Sequence, residues 1–241
     1  AYQAGDYATA LQEWTPLAEA GDASSANILG LMYNHAIGVP QNYAEAVRLY
    51  RLAADQGDAS AQTNLGLMYE NGLGVPQDYA EAVRWYRLAA DQGDADAQTN
   101  LGYMYGNGQG VLQDYAEAVK WYRLAAEQGY ARAQTNLGYM YRNGQGVPQD
   151  YAEAVKWYRL AADQGYASAQ TNLGVMYRNG EGVLQDTVMA HMWYNIGAAN
   201  GNELGGTNRD VTAEGMTQQA IEQAQAMARE CMSSGYQNCG Y

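Results

Sequence analysis

The sequence predicts an all-α protein built from a tandem array of helix pairs. The chain has 241 residues, and a glycine recurs at steps of 36: Gly30, Gly66, Gly102, Gly138 and Gly174. A fixed period of this length indicates stacked supersecondary units. Within one period, Ala61, Leu65 and Tyr69 follow the spacing of a helix that buries one face, and a second such stripe runs from Tyr79 to Ala90. Each period therefore predicts a first helix and a second helix.

Capping residues mark where these helices begin and end in the repeat of residues 59–94. Gly72 can take the left-handed conformation after the first helix, and Pro76 cannot continue it. Asp78 followed by Glu81 predicts the start of the second helix, and Gly93 predicts its end. The same capping pair recurs at Asn42/Glu45, Asp114/Glu117 and Asp150/Glu153.

The two ends of the array differ from its middle. Residues 1–22 carry Tyr7 and Trp14 at second-helix positions, which predicts a lone N-terminal helix that covers the apolar end of the stack. Five repeats then occupy residues 23–201. In residues 202–241, Ala224 and Ala228 belong to an apolar stripe, which predicts a C-terminal capping helix on the last repeat. A glycine pair, Gly205-Gly206, weakens the prediction of a short helix before it.

Composition excludes several classes of function. There are 13 Lys+Arg against 26 Asp+Glu, a formal net charge of -13, and no basic run, so nucleic-acid binding is not expected. No stretch approaches the ~20 apolar residues of a membrane-spanning helix. The opening residues AYQAGDYATA lack the basic and apolar regions of a signal peptide. We expect any signal peptide to have been removed already.

No set of residues predicts catalysis, a metal site or a cofactor. His35 and His191 lie at opposite ends of the array, where we interpret them as a loop residue and a residue that packs against the C-terminal cap. The Asn-Gly-x-Gly loops lack the strand and the Lys-Ser/Thr pair of a phosphate-binding loop. Trp85 and Tyr86 recur in the second helices, and we interpret them as core residues rather than a ligand-stacking surface.

The repeat resembles the Sel1-like repeat, a relative of the tetratricopeptide repeat. The resemblance rests on the string A-x-A-Q-x-N-L-G-x-M-Y-x-N-G-x-G-V-x-Q-D-Y-x-x-A-x-x-W-Y-x-x-A-A-x-Q-G, which recurs almost unchanged over residues 59–165 and more loosely over residues 23–201. It implies a right-handed α/α solenoid of helix-loop-helix repeats with terminal capping helices. It also implies a non-catalytic protein that binds another protein or peptide.

The related tetratricopeptide arrangement places certain first-helix positions on the concave, solvent-facing side, among them Ser60, Thr63 and Asn71. Several of these positions differ between otherwise similar repeats, so they could encode partner recognition, although neutral drift at exposed sites is the alternative. Arginine and tyrosine are enriched among binding hot spots. The predicted partner-binding residues are Leu67, Glu70, Asp96, Tyr103, Arg132, Tyr139, Arg142 and Arg178. Arg84 and Arg87 of the second helix are expected on the convex side.

The only two cysteines, Cys231 and Cys239, are close enough in sequence to form a disulfide. Such a bond persists in an oxidising compartment, which favours a periplasmic or secreted protein, whereas two free thiols in the cytoplasm are the alternative. Some Sel1-like proteins carry a cysteine pair in every repeat. This chain has none in its repeats, so the β-lactam handling proposed for that branch is not implied.

Three functions remain open from the sequence. The first is a scaffold or regulator in the bacterial envelope that binds its partner on the concave surface. The second is a periplasmic immunity protein or an inhibitor of a toxin or envelope enzyme, since a strongly acidic surface suits a basic target. The third, a hydrolase of cell-wall or β-lactam substrates, has no residue constellation behind it.

Overall fold

A computed structural model describes residues 6–237 and 239–240 of the chain. Within these residues it contains 13 α-helices and no strand, which confirms the predicted all-α class built from repeated helix pairs. The helices are α1 (Tyr7–Glu19), α2 (Ala23–Asn34), α3 (Tyr43–Ala54), α4 (Ala59–Asn71), α5 (Tyr79–Asp91), α6 (Ala95–Asn107), α7 (Tyr115–Glu127), α8 (Ala131–Asn143), α9 (Tyr151–Ala162), α10 (Ala167–Asn179), α11 (Thr187–Ala199), α12 (Glu203–Ala213) and α13 (Gln218–Ser233).

The helices follow the 36-residue period. Helices α2, α4, α6, α8 and α10 are the first helices of the five repeats, and α3, α5, α7, α9 and α11 are the second helices. Helix α1 has the register of a second helix. The chain divides into two compact units, Ala1–Trp121 and Tyr122–Tyr241, called the first unit and the second unit below. None of the described helices is both long enough and apolar enough to span a membrane.

Side-chain caps fix the helix starts in the first unit. The Asp58 carboxylate accepts a hydrogen bond from the backbone N–H of Ala61 at 2.7 Å, and Asp22 and Asp94 cap α2 and α6 in the same way. Each cap satisfies an N–H group that has no partner within the helix. In the second unit, Tyr130 and Tyr166 take the corresponding position before α8 and α10, and neither side chain makes a capping bond.

Two kinds of glycine allow the helices and loops to approach closely. A Cβ atom on Gly66 would lie 2.6 Å from the ring of Tyr86, so the recurring mid-helix glycine makes room for the buried tyrosine of its own repeat. Gly74 has a φ of 71°, and a Cβ atom there would lie 2.4 Å from the carbonyl oxygen of Tyr43. The loop of this repeat therefore rests on the start of the preceding second helix.

Two types of polar bond tie the helices together within each unit: Arg–Tyr bonds join neighbouring repeats, and Gln–Gln bonds join the two ends of one repeat. In the second unit, the Arg159 guanidinium donates to the Tyr177 hydroxyl at 2.9 Å, and Gln164 Nε2 donates to Gln134 Oε1 at 2.8 Å. The other Arg–Tyr bonds within a unit are Arg51–Tyr69, Arg87–Tyr105 and Arg123–Tyr141, and Gln92 donates to Gln62 in the first unit.

Helix α12 is the short helix expected before the C-terminal helix, and it continues the register of the first helices. Asn202 caps it by accepting from the N–H of Gly205 at 3.0 Å, at the position held by Asp58 in α4. A Cβ atom on Gly205 would lie 2.8 Å from the backbone nitrogen of Ala198. The glycine that lowers helix propensity is thus what lets α12 pack closely against α11.

The C-terminal helix α13 packs against α11 and buries Ala224, Ala228 and Cys231. A disulfide joins Cys231 to Cys239, the pairing that the sequence allowed beside two free thiols. Beside it, the Tyr236 hydroxyl accepts a hydrogen bond from Asn200 Nδ2 at 2.8 Å. The disulfide loop is therefore attached to the turn that follows the last repeat.

Candidate binding surface

The exposed positions of the first helices form the candidate surface, called the first-helix face below. In the first unit, Leu67 and Tyr103 hold the same register position on α4 and α6, and both are exposed, Tyr103 to 45%. Asp96 is exposed in the first turn of α6, where a negative charge is favourable beside the positive end of the helix dipole. Leu67 and Tyr103 can therefore reach a partner without rearrangement of the helices.

Two other first-helix positions in the first unit are engaged with the chain itself. Glu70 is half-buried, and its carboxylate accepts a hydrogen bond from the Tyr86 hydroxyl. Thr63 is buried, and its hydroxyl lies 3.1 Å from both the Ala59 carbonyl and an Asp94 carboxylate oxygen. The expectation that Thr63 faces solvent is wrong, because its side chain points to the capped start of the next first helix.

In the second unit, the register position of Tyr103 is held by Tyr139, Val175 and Val211 on α8, α10 and α12. Tyr139 is 50% exposed and Val211 46%, while Val175 is partly exposed. Leu204, also on α12, is exposed at the register position of Arg132. Sequence reasoning missed both α12 residues, although counting 36 residues on from Val175 leads directly to Val211.

Arg142 is the most constrained of the predicted residues. Its Nε donates to Glu181 Oε2 at 2.7 Å, and the two side chains are only 25% and 20% exposed. Burial opposes the charge of Arg142, but the hydrogen bond and the charge of Glu181 raise its pKa overall. Burial likewise opposes ionisation of Glu181, yet the hydrogen bonds from Arg142 and Asn179 lower its pKa. This ion pair joins α8 to the loop of the next repeat.

Arg178 and Arg132 complete the predicted set. Arg178 is exposed and lies beside the buried hydroxyl of Tyr194, whose pKa is raised by burial and moderated by this guanidinium. Arg132 is half-buried in the first turn of α8. Residues 70, 142 and 178 share one register position. A change of charge at this position therefore alters the environment of the buried tyrosine of the same repeat as well as the surface.

The second-helix arginines differ from each other. Arg84 is exposed, pairs with Glu81 at 3.3 Å and lies over the Trp85 ring at 5.1 Å. Arg87 donates to the Tyr105 hydroxyl of the next repeat. Substitution of Arg87 would therefore weaken the stack, which leaves Arg84 as the better control for a binding experiment.

The units differ in charge. The first unit carries five Lys+Arg against 15 Asp+Glu, a net charge of -10, and the second carries eight against 11, a net charge of -3. Two of the second unit's basic residues, Arg132 and Arg178, lie on first helices beside the apolar positions. The first-helix face of the second unit therefore differs from that of the first unit in both its charge and its exposed apolar residues.

The two histidines lie where the sequence suggested. His35 follows α2 and is exposed, whereas His191 of α11 is buried with its Nδ1 atom unpaired. Burial and the nearby Arg209 lower the pKa of His191, and Asp210 opposes this shift. Among the described residues, no group of three or more His, Cys, Asp or Glu side chains could hold a metal ion.

Comparison with known proteins gives the repeat a name. The family model of the Sel1 repeat matches residues 23–58, 59–94, 95–130, 131–166 and 167–202. A search of curated proteins found no match.

Solved structures supply three comparisons. A Sel1 repeat protein from Oxalobacter formigenes has a TM-score of 0.84 and 35% identity, over 92% of this chain and 93% of that one. A protective antigen of uropathogenic Escherichia coli with an SLR fold has a TM-score of 0.81 and 40% identity over 92% of this chain, which spans 48% of the antigen's length. An immunity protein from Pseudomonas aeruginosa shares the fold, with a TM-score of 0.54 and 20% identity over 88% of this chain and 82% of that one. Repeat matches across most of the sequence, and helix pairs that follow the same period, show that the chain belongs to the Sel1 repeat family.

Proposed function

We propose that this protein is a non-catalytic scaffold or regulator of the bacterial envelope that binds another protein or peptide on its first-helix face. One observation carries the proposal: Tyr139, Val175 and Val211 place an apolar side chain at the same register position of three successive first helices in the second unit. Exposed aromatic and aliphatic groups on a folded domain are typical of interaction sites.

Charge on the same helices adds to this surface. Arg178 offers an exposed guanidinium group that can make forked hydrogen bonds to a carboxylate of a partner, and Arg132 adds positive charge on α8. In the first unit, Leu67 and Tyr103 hold the equivalent apolar position, with Asp96 and Glu70 on the same helices. The two units therefore offer different chemistry on equivalent helices, which suits a partner with apolar anchors and charges of both signs.

The disulfide supports an envelope location. Disulfides form and persist in the periplasm and outside the cell, and they are rare in a reducing cytoplasm. Because Cys231 and Cys239 are bonded and buried beside α13, we propose a periplasmic or secreted protein.

A second candidate function is inhibition of a basic toxin or envelope enzyme, as an immunity protein does. The net charge of -10 on the first unit favours it, since such a field accelerates association with a positively charged target. The immunity protein named above supports the fold alone, so this candidate depends on charge.

The test begins with capture of partners from periplasmic extract and continues with calorimetry on the purified pair. Replacing Tyr139 and Arg178 by alanine should weaken binding by about 2–4 kcal/mol, because truncated hot-spot side chains cost this much. Arg84→Ala is the matched control and should leave the affinity unchanged. Equal losses of affinity in both variants would contradict binding on the first-helix face. A steep salt dependence of binding, with no loss of affinity from Tyr139→Ala, would favour the charge-driven inhibitor.

A further inference from the structure

We propose that a pocket at the N-terminal end of the first unit binds a tryptophan side chain from a basic segment of a partner protein. The pocket lies between α1, α2 and α3 and has a volume of about 80 Å³. Leu29 and Leu49 line its apolar part, and Tyr33, Glu19 and Arg48 line its polar part. This site lies apart from the apolar register positions of the first-helix face.

The next repeat shows why the pocket exists. Counting 36 residues on from Leu49 leads to Trp85, which is 5% exposed and packs in the same core cluster as Leu49 and Ala54. The later repeats also place tryptophan here: Trp121, Trp157 and Trp193. The first repeat alone has the smaller leucine, so the volume that an indole ring occupies in its successors is left open.

A second difference removes bulk at the same place. Residue 51 is an arginine that donates to the Tyr69 hydroxyl and lies 5.8 Å from the centre of that ring. The equivalent pair one period earlier is Thr15 of α1 and Tyr33 of α2, and both residues line the pocket. A threonine is too short to make the guanidinium contact, so one side of Tyr33 remains available to a ligand.

The repeat itself indicates which group fits. Trp85 lies 5.1 Å beneath the Arg84 guanidinium, which Glu81 holds. In the pocket, Arg48 is held by Glu45 at 2.6 Å in the same way. An indole that enters beside Leu49 would lie next to Arg48 as Trp85 lies next to Arg84, with a cation–π contact and apolar burial.

Size and charge favour a peptide side chain over a free ligand. A cavity of about 150 Å³ inside a protein core encloses a benzene molecule. This pocket is about half that volume and opens to solvent, so a ring is only partly enclosed and needs support from flanking groups. Glu19 at the rim, in a unit of net charge -10, favours a lysine or arginine next to the tryptophan.

The probe is a short amidated peptide that contains Lys-fluorotryptophan, and its fluorine NMR resonance is observed at low ionic strength. Addition of the wild-type protein should shift and broaden this resonance, and the change should saturate as the protein concentration rises. Leu49→Trp fills the pocket with the residue that its successors use, and it should weaken binding at least about tenfold. Leu88→Trp adds the same ring to an exposed site of α5 and should leave binding unchanged. Absence of saturable binding to the wild type, or equal binding to Leu49→Trp, would overturn the proposal.

Further variants and a second ligand test the role of charge, the effect of misfolding and the source of the ligand. Glu19→Gln should weaken the peptide about threefold at low salt, and its counterpart in the filled repeat, Asp55→Asn, should not. Thr15→Arg restores the missing guanidinium and should also reduce binding, which covers the case in which Leu49→Trp folds poorly by circular dichroism. If free indole binds as tightly as the peptide, the assignment to a partner segment is overturned.

Discussion

The two units are built from the same repeat, yet they differ at the starts of their first helices and in charge. In the first unit an aspartate caps each first helix, whereas Tyr130 and Tyr166 stand at this position in the second unit without a capping bond. The net charges are -10 and -3. Positions that pack between helices are shared, and positions that meet solvent have diverged. The comparison separates residues that build the stack from residues that can serve binding.

The closures of the two units also differ. Helix α1 packs against α2 at the start of the first unit, which contains no cysteine. In the second unit, α12 and α13 cover the last repeat, and a disulfide holds the segment after α13. The following predictions test which of these features the units share, in order of expected effect.

Replacing the recurring glycine by valine should cause the largest loss of stability, and the loss should be similar in both units. Gly66→Val in the first unit and Gly174→Val in the second would each force a side chain into a tyrosine ring about 2.5 Å away. Overpacking of this kind should lower the free energy of unfolding by about 3 kcal/mol, measured by urea denaturation. Gly206→Ala is the control, since its nearest neighbour lies 3.8 Å away. Unchanged midpoints for both valine variants would contradict the packing argument.

Removal of the disulfide should affect the second unit alone. The bond spans a sequence separation of 8, and the loop-entropy relation gives about 2.5 kcal/mol for such a loop. A Cys231→Ser, Cys239→Ser variant should therefore lose hydrogen-exchange protection in α13 and α11. Because repeats interact with their neighbours, amides of α2 to α5 should keep their protection. Equal deprotection of both units would show that the array unfolds as one cooperative body.

Loss of the aspartate cap of a first helix should have a smaller effect, and among the first helices of the five repeats only those of the first unit have such a cap. Asp58→Ala removes the acceptor for the N–H of Ala61 and should cost about 1 kcal/mol in thermal or urea unfolding. Asp58→Asn retains an accepting oxygen and should recover most of the loss. At the equivalent Tyr166, alanine would remove core packing instead. A loss from Asp58→Asn as large as that from alanine would indicate that charge, not capping, matters here.

The smallest expected effect concerns His191. This residue occupies the position that Val155 holds one repeat earlier. Burial keeps the folded-state pKa of His191 below 6.5, the ordinary value of an imidazole, so the unfolded chain binds the proton more readily. The contribution of neutral His191 is full above that value and falls as the pH drops through it. Melting temperatures should therefore decline from about pH 7.5 to 5.5 more in the wild type than in His191→Val. Parallel declines would assign the effect to other groups.

Local patterns were enough to predict the fold, because each helix carries its own caps and apolar stripe. Trp85 and Tyr86 are buried, which confirms their interpretation as core residues. Contacts between repeats were harder to foresee. The register position of Arg142 predicts an exposed arginine. Its partner Glu181 lies 39 residues further along the chain, at a loop position where the other repeats have a different residue.

Two features depended on counting the register beyond the obvious repeats. The short helix expected before the C-terminal helix is present as α12, although Gly205-Gly206 counts against a helix by propensity; close packing of Gly205 on α11 explains why glycine stands there. The pocket beside Leu49 has a sequence signal, the leucine that replaces tryptophan, but only the packing of α1 shows that the space stays open. The partner-binding role of the first-helix face remains a prediction from the sequence.

The bonds between repeats have a consequence for how such arrays can change length. Each Arg–Tyr bond between repeats joins residues 18 apart, whereas each Gln–Gln bond joins residues 30 apart within one repeat. If residues 59–94 were deleted, Arg51 would meet Tyr105 with this same spacing, and the Gly110 loop would rest on Tyr43 as the Gly74 loop now does. Recombination in steps of 36 residues thus leaves every junction chemically intact. Insertions of other lengths would break several bonds at once, so the gene can gain or lose whole repeats far more readily than parts of one.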